Sequence, residues 1–294
     1  MTTVTSRSAT GAAPMARGEK ATTYAILTVV SAILMAPFVY MVSIALSSDA
    51  TTRKLTFTFF PTEFEFGNFV KAFTSDLPMG NFLLNSTIIV VFACVGMTAS
   101  SAIVAYGFAR LRAPGKNIIF FVLLATMMIP AEVLLIPQFV IFRSLGWIDT
   151  LLPLIVPNFF ANAYNVFLMR QFISRMPREL DDAAMLDGLG HFGIFRRITL
   201  PLMKPVLVAV AIFTFTFNWG YFFGPLIYVN SVEKMPLALG IQALSATSSG
   251  AQLPPWNIVM VGAIILTMPM LAIYYFGQKY LYEAGLVSGS AGLK

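Results

Sequence analysis

Residues 177–201 read PRELDDAAMLDGLGHFGIFRRITLP and form a charged segment between long apolar stretches. Pro177 suits the first turn of a helix, because the N–H that proline lacks has no intrahelical partner there. Acidic residues fill the same turn, where the helix dipole favours negative charge. Gly188 is a natural C-terminal stop, and a second short helix is expected at about 192–198. The segment therefore predicts a polar helix–turn–helix whose first helix has small side chains on one face.

Four long apolar stretches precede this segment and two follow it. Four of the six contain no Asp, Glu, Lys or Arg, the third contains only Glu132, and the sixth contains only Lys279, close to its end. A helix needs roughly 17–25 mostly apolar residues to cross a bilayer, so each stretch predicts one transmembrane helix. The predicted spans are about Thr22–Leu46, Asn85–Phe108, Asn117–Phe142, Leu151–Phe167, Pro205–Ile227 and Trp256–Leu281.

The composition indicates an all-α, polytopic membrane protein. Hydrophobic residues make up 57% of the 294 residues and charged residues only 11%, whereas soluble domains carry about 25% charged residues. The net charge of +6 does not indicate a nucleic-acid partner, because the basic residues lie in short loops between spans rather than on one soluble face. Membrane lipid is the expected surrounding of the helices.

The basic residues predict the orientation of the chain. With the N-terminus in the cytoplasm, 14 of the 19 Lys and Arg residues fall in cytoplasmic segments and 5 outside, as the positive-inside rule requires. Both termini are then cytoplasmic. We predict a disordered cytoplasmic arm at 1–20, a six-helix domain at 21–282 with its polar loop at 177–201, and a cytoplasmic tail at 283–294.

The polar loop resembles the cytoplasmic loop motif of ABC importer permeases, which reads Glu-Ala-Ala, three residues, Gly, nine residues, Ile-x-Leu-Pro. Here Asp182-Ala183-Ala184 is followed after three residues by Gly188, and nine residues later by Ile198-Thr199-Leu200-Pro201. One position departs from the motif, because Asp182 replaces the leading Glu and keeps its charge with one methylene less. The likeness extends over nearly the whole chain, and the tail from Phe276 resembles that of the maltose-type second permease.

This resemblance implies a type I importer permease bundle of six transmembrane helices in the plasma (inner) membrane of a prokaryote. Its partners would be a second homologous permease subunit, two copies of an ABC ATPase and an extracytoplasmic solute-binding protein. In that family the loop forms a coupling helix seated in a cleft of the ATPase. The Phe-rich loop after the first span and the loop at 228–254 would meet the binding protein. The residues that the resemblance assigns to ATPase coupling are Asp182, Ala183, Ala184, Asp187, Gly188, Ile198 and Pro201.

Catalytic and cofactor motifs are missing from the sequence. No Gly-x-x-x-x-Gly-Lys-Ser/Thr loop is available to cradle ATP phosphates, so we expect ATP hydrolysis on a partner subunit and no enzyme activity in this chain. His191 is the only histidine, and no Cys or carboxylate stands near it at metal-ligand spacing. We predict neither a metal nor a cofactor.

Four residues are candidates for the substrate path. Glu132 is a charge deep in a span, which is costly and often functional; a hydrogen bond to substrate, a structural tie and a proton relay all remain open for it. Asn218, Trp219 and Tyr221 in the fifth span are better candidates for sugar contact, because aromatic rings stack on sugars and amides bond their hydroxyls. Ordinary packing or anchoring at the membrane interface is the alternative for the two aromatic residues.

The sequence thus predicts a permease subunit of an ATP-driven, binding-protein-dependent importer of oligosaccharides or related carbohydrates. The same class of importer carrying glycerol 3-phosphate or a polyol is the alternative. A secondary transporter that moves protons through Glu132 is a rival, but it leaves the loop motif unexplained. A membrane-embedded enzyme is disfavoured by the lack of a catalytic cluster.

Overall fold

The computed structural model describes residues 17–52, 59–61, 63–74, 78–246 and 254–289, and within them the regular structure is helical throughout. The α-helices are α1 Arg17–Ala45, α2 Asp49–Thr52, α3 Gly67–Thr74, α4 Met79–Arg110, α5 Lys116–Ala125, α6 Ala131–Ser144, α7 Leu152–Ile155, α8 Ala163–Ser174, α9 Glu179–Leu186, α10 His191–Ile194, α11 Leu200–Leu202, α12 Lys204–Trp219, α13 Phe223–Tyr228, α14 Leu237–Ala246 and α15 Trp256–Gly289.

The number of possible membrane spans depends on how two bent helix pairs are counted. Four segments are long and apolar enough to cross a membrane without such a bend: Gly18–Ala45, Met79–Arg110, Leu152–Ser174 and Trp256–Leu281. Two helix pairs, Lys116–Met128 with Ala131–Ser144 and His191–Leu202 with Lys204–Trp219, bring the total to six if each pair is one span. The six predicted spans therefore correspond to four such segments and two bent ones.

The prediction of a single helix from Asn117 to Phe142 was wrong. The chain bends by 100° between Met128 and Ala131, where Ile129 adopts extended backbone angles just before Pro130. Proline disfavours the helical conformation of the preceding residue and has no N–H to continue the ladder. Pro137 lies inside α6 and does not end it, so the break occurs at the first of the two prolines.

The fourth and fifth predicted spans also differ from the structure. The fourth runs on to Ser174, and extended backbone at Phe160 divides it before Asn162 caps α8. The Asn162 Oδ1 accepts a hydrogen bond from the N–H of Tyr164 at 2.9 Å, as an N-cap residue does. The fifth ends at Trp219 rather than Ile227, and α13 forms a separate short helix after it.

Helix α4 lies at the centre of the bundle, where it packs against α8 and α12. Val166, Met169, Met203 and Val206 are almost fully buried at one end of this interface. Towards the other end of α4, a side chain on Gly240 of α14 would overlap the Phe82 ring. Glycine is needed there because only its backbone lets α14 approach α4 so closely.

The ends of the domain differ from their predicted boundaries. Helix α1 begins at Arg17, inside the arm predicted for 1–20, and residues 1–16 of that arm lie outside the described residues. Helix α15 continues to Gly289, well into the predicted tail at 283–294. Apolar side chains of α1 such as Ile33 are largely exposed in the isolated chain, as expected for a helix that faces lipid.

A corner formed by Asp149 joins two loops at the end of the bundle remote from α9. Asp149 is the one described non-glycine residue with positive φ, at 59°. Its carboxylate accepts bonds from the Ser231 hydroxyl at 2.6 Å, the backbone N–H groups of Asn230 and Ser231, and the Lys234 ammonium at 2.9 Å. These bonds, led by the one from the Ser231 side chain, hold the pKa of Asp149 well below its ordinary range.

Candidate functional site

The first helix of the polar loop is α9, and its end has a defined hydrogen-bonded form. Gly188 has φ of +81°, a conformation that side chains disfavour. The N–H of Gly188 donates to Met185 O and the N–H of Leu189 donates to Ala184 O, both at 3.0 Å. This pair of bonds is the Schellman arrangement that satisfies the last carbonyls of a helix. The structure therefore confirms Gly188 as the stop of this helix.

Two faces of α9 meet different surroundings. Asp181 and Ala184 point into the protein and are 8% and 4% exposed. Asp182, Ala183 and Asp187 are exposed and leave the outer face open to another protein. The prediction that the small side chains of this helix lie on one face was wrong, because Ala183 is exposed and Ala184 is buried. Successive residues on a helix differ by about 100° in direction, and here that step divides an outer from an inner position.

The second half of the loop leads into α12 through a bend of 76° at Met203. Helix α10 is followed by a wider π-type turn from Phe195 to Thr199 and then by α11. Ile198 is half-buried in this turn, while Pro201 is exposed in α11. Such π turns are rare and frequently occur at functional sites. The predicted second helix at 192–198 is thus present, in a longer and less regular form.

A polar cavity of about 260 Å³ lies where α8 and α12 face α4. Asn218 lines it, as do residues that the sequence analysis had not selected. The Tyr164 and Phe213 rings meet edge to face beside it, with centroids 6.2 Å apart. Its volume is below the ~300–1,000 Å³ of pockets for drug-sized ligands, so it fits part of a larger molecule. The lining residues are Met97, Asn158, Asn162, Tyr164, Asn165, Phe213, Thr214, Phe217 and Asn218.

A signal for this cavity exists in the sequence. Asn158, Asn162 and Asn165 are spaced four and three residues apart in an otherwise apolar span, a spacing that places residues on one side of a helix. Amides inside a bilayer need partners, so such a stripe indicates either a helix contact or a polar cavity. The structure shows the cavity, and the stripe supplies three of its amides.

The other predicted path residues have different surroundings. Trp219 is 5% exposed, its Nε1–H donates to Leu266 O at 2.7 Å, and its ring stacks on Phe215. That side chain ties α12 to α15, which is the packing role named as the alternative to sugar contact. Tyr221 follows α12 and stacks on Phe217 of the cavity wall, with centroids 5.2 Å apart. Glu132 is exposed in the first turn of α6, beside the bend at Pro130.

A larger cavity of about 470 Å³ lies on the other side of α4, next to α11 and α12. Its walls are almost entirely apolar, including Val95, Phe195 and Leu207, so it offers little to a hydroxyl-rich solute. Within the described parts of the chain, no group of three or more His, Cys, Asp or Glu side chains could hold a metal ion.

The model of one protein family matches the part of the chain that holds both the polar cavity and the loop. It is the binding-protein-dependent transport system inner membrane component, and it matches residues 97–284. The chain belongs to this family. The predicted resemblance to ABC importer permeases is thereby confirmed, and the function of the permease is transport rather than catalysis.

Named relatives and a solved structure agree with this assignment. The permease is 32% identical to the arabinooligosaccharides transport system permease protein AraQ of Bacillus subtilis, over 84% of this chain and 86% of that protein. It is 32% identical to the sn-glycerol-3-phosphate transport system permease protein UgpE of Pectobacterium atrosepticum, over 71% and 73%. A bacterial ABC transporter involved in the import of alginate has the same fold, with a TM-score of 0.79 at 21% identity over 91% of this chain and 99% of that one.

Proposed function

We propose that this permease imports a neutral oligosaccharide or a related carbohydrate. The observation that carries the proposal is the cavity between α4, α8 and α12, where Asn158, Asn165 and Asn218 lie beside the aromatic rings of Tyr164 and Phe213. Amides donate to and accept from hydroxyl groups, and aromatic faces suit the apolar faces of sugar rings. The AraQ relative, named for arabinooligosaccharides, points to the same class of solute.

Glycerol 3-phosphate is the second candidate, because UgpE is as similar in sequence as AraQ over a shorter stretch. A phosphate is normally bound by Arg, Lys or a helix N-terminus with free N–H groups. The residues that line the polar cavity include no Arg or Lys, and at the N-terminus of α8 beside it the N–H of Tyr164 is already bonded to the Asn162 side chain. The lining therefore favours an uncharged solute over a phosphorylated one, while a polyol would fit the same amides.

The proposal extends to the partners and to the source of energy. A second permease subunit, two ATPase copies and an extracytoplasmic binding protein would complete the transporter, and the name of the family itself includes the binding protein. The ATPase would dock on the outer face of α9, around Asp182, Ala183 and Asp187. Exposed Phe60 and Phe64, at 69% and 63%, would contribute to the docking of the binding protein.

The substrate test uses the complete transporter in liposomes, with ATP and the ATPase side inside and the binding protein outside. Uptake of a labelled arabinooligosaccharide, a labelled polyol and labelled glycerol 3-phosphate would be compared at equal concentrations. We expect ATP-dependent accumulation of the uncharged solute. Accumulation of glycerol 3-phosphate alone would refute the proposal for sugars and leave the importer class intact.

Substitution of Glu132 separates an ATP-driven importer from a proton-driven one. We expect Glu132→Gln to retain at least about half of the uptake, because Gln keeps the size and most of the hydrogen-bonding capacity of Glu. Uptake should also be insensitive to a protonophore while ATP is held constant. In a proton-coupled transporter the same change removes the proton carrier. Accumulation that follows an imposed pH gradient and ignores ATP would overturn the proposal.

The proposed orientation predicts which loops face the cytoplasm. Ser174 at the end of α8 and Ser144 at the end of α6 are both exposed and lie on opposite sides of the membrane in this orientation. In a Cys94→Ala background, we expect an impermeant thiol reagent to label Ser144→Cys in intact cells and to label Ser174→Cys only after lysis. The opposite pattern would place α9 outside and exclude its contact with an ATPase.

A further inference from the structure

The cytoplasmic loop is joined to the last turn of α4 by a buried ion pair. Arg110 ends α4, and its Nε lies 2.9 Å from the Oδ2 of Asp181 on the inner face of α9. The side chains are only 5% and 11% exposed. The Nε–H does not point at a hydrogen-bond acceptor, so the contact is an ion pair; Nη2 of Arg110 donates to Met176 O at 3.0 Å, just before α9.

A second contact joins the same face of α4 to the loop after the Gly188 turn. Tyr106 precedes Arg110 by one helical turn, and its hydroxyl donates to His191 O at 3.1 Å. Its ring lies 5.1 Å from that of Phe195, centroid to centroid. Positions four apart on a helix face the same way, so one face of α4 contacts the loop on both sides of the turn.

Helix α4 also reaches the polar cavity. Met97 lines the cavity in the same unbroken helix that ends at Arg110. An α-helix is stiff because each backbone hydrogen bond spans one turn. A displacement of its cytoplasmic end is therefore transmitted along the helix to Met97 and to its contacts with α8 and α12.

The buried charges are better explained by a geometrical requirement than by stability. An apolar pair of similar volume would often be as stable as a buried ion pair, while removal of one partner leaves an uncompensated charge. Because an unpaired buried charge is costly, arrangements that separate Arg110 from Asp181 are disfavoured. The pair therefore holds α9 against the end of α4 in one arrangement. Asp181 and Arg110 are both outside the loop motif that begins at Asp182.

We propose that Arg110 and Asp181, assisted by Tyr106, are positioning residues that transmit the movement of α9 to α4 and thereby link ATP hydrolysis to opening of the polar cavity. The inference rests on the proposed function, since it requires an ATPase docked on the outer face of α9. It assigns the inner face of α9 a separate role, which is transmission of movement rather than recognition of the ATPase.

The test measures solute uptake and ATP hydrolysis together in the assembled transporter in liposomes. Asp181→Asn removes one charge at nearly constant size, and Arg110→Gln removes the other with a somewhat shorter side chain. We expect each to lower the number of solute molecules imported per ATP by about tenfold, within the range typical of coupling between sites. The exchanged pair Arg110→Asp with Asp181→Arg should restore the ratio to within about threefold of the unmodified chain.

Two further variants separate transmission from folding. Arg112→Gln changes an exposed arginine two residues from Arg110 and should leave the ratio unchanged. Tyr106→Phe keeps the ring contact and removes only the bond to His191 O, so it should lower the ratio by about twofold to fivefold with normal assembly.

The inference is overturned if the single-charge variants keep the normal ratio of solute to ATP. It is equally overturned if they lose uptake and ATPase binding together and the exchanged pair restores neither, because the ion pair would then only support folding. Failure of the proposed function itself would be recognised by a different experimental result. In that case the unmodified complex itself would show no ATP-dependent uptake of an uncharged solute.

Discussion

Ala183→Arg is expected to abolish ATP-driven uptake while the permease still inserts into the membrane. Ala183 is exposed on the outer face of α9, so the chain alone can accommodate a longer side chain there. A docked ATPase would not accommodate it, because close contact with a small-residue surface leaves no room for a guanidinium. Central interface positions cost roughly 2 kcal/mol or more when altered, which weakens binding of the ATPase by about 30-fold.

The measurement is co-purification of the ATPase with the permease, followed by uptake in liposomes. Ala113→Arg is the matched control, because Ala113 is exposed in the turn between α4 and α5. It should purify with a full complement of ATPase. The adjacent Ala184→Arg should behave differently and impair insertion or stability, since Ala184 is buried and a charge there is desolvated. Normal ATPase binding by a well-expressed Ala183→Arg permease would exclude docking on this face.

Asn218→Leu should lower uptake of the solute by about tenfold to a hundredfold while ATPase binding stays normal. Leucine has the same branched shape but offers no hydrogen-bonding atoms, and a site that recognises hydroxyls discriminates strongly once such a partner is lost. In the structure Asn218 Nδ2 donates to Thr214 O at 2.8 Å. Its Oδ1 therefore remains available to accept a bond from a solute hydroxyl.

The measurement is the initial rate of uptake against solute concentration, with ATP hydrolysis recorded in parallel. Asn117→Leu is the control, because Asn117 is an exposed amide in the first turn of α5 and does not line the cavity. We expect a rate close to that of the unmodified permease. An Asn218→Leu permease with unchanged uptake kinetics would remove the cavity from the substrate path.

Hydropathy and capping rules predicted the existence of the helices better than their continuity. Gly188 was identified correctly because a left-handed stop at a helix end favours glycine. The break at Pro130 was missed, although the proline was visible. Prolines are tolerated in transmembrane helices when neighbouring groups compensate, and Pro137 remains inside α6. Sequence alone does not distinguish these two prolines, because the difference depends on what packs around each.

The site was only partly predictable for a related reason. Asn218 lies on the wall of the polar cavity, but its neighbour Trp219 faces α15, because adjacent helix residues point in different directions. The asparagine stripe at 158, 162 and 165 was readable from its spacing. The Arg110–Asp181 pair was not, since several helices separate the two residues along the chain and only the packing of α9 under α4 brings them together.

The corner at Asp149 has a consequence for how this end of the permease responds to its surroundings. A carboxyl group with an ordinary pKa loses much of its charge when the medium becomes acidic, and loops held by it would separate. The hydrogen bonds to Asp149 keep its pKa lower, so the stabilisation it provides persists through mild acid and is lost only as the pH falls through that depressed pKa. The two loops that meet at Asp149 would thus keep their neutral-pH arrangement at a pH at which an ordinary carboxyl group is already half protonated.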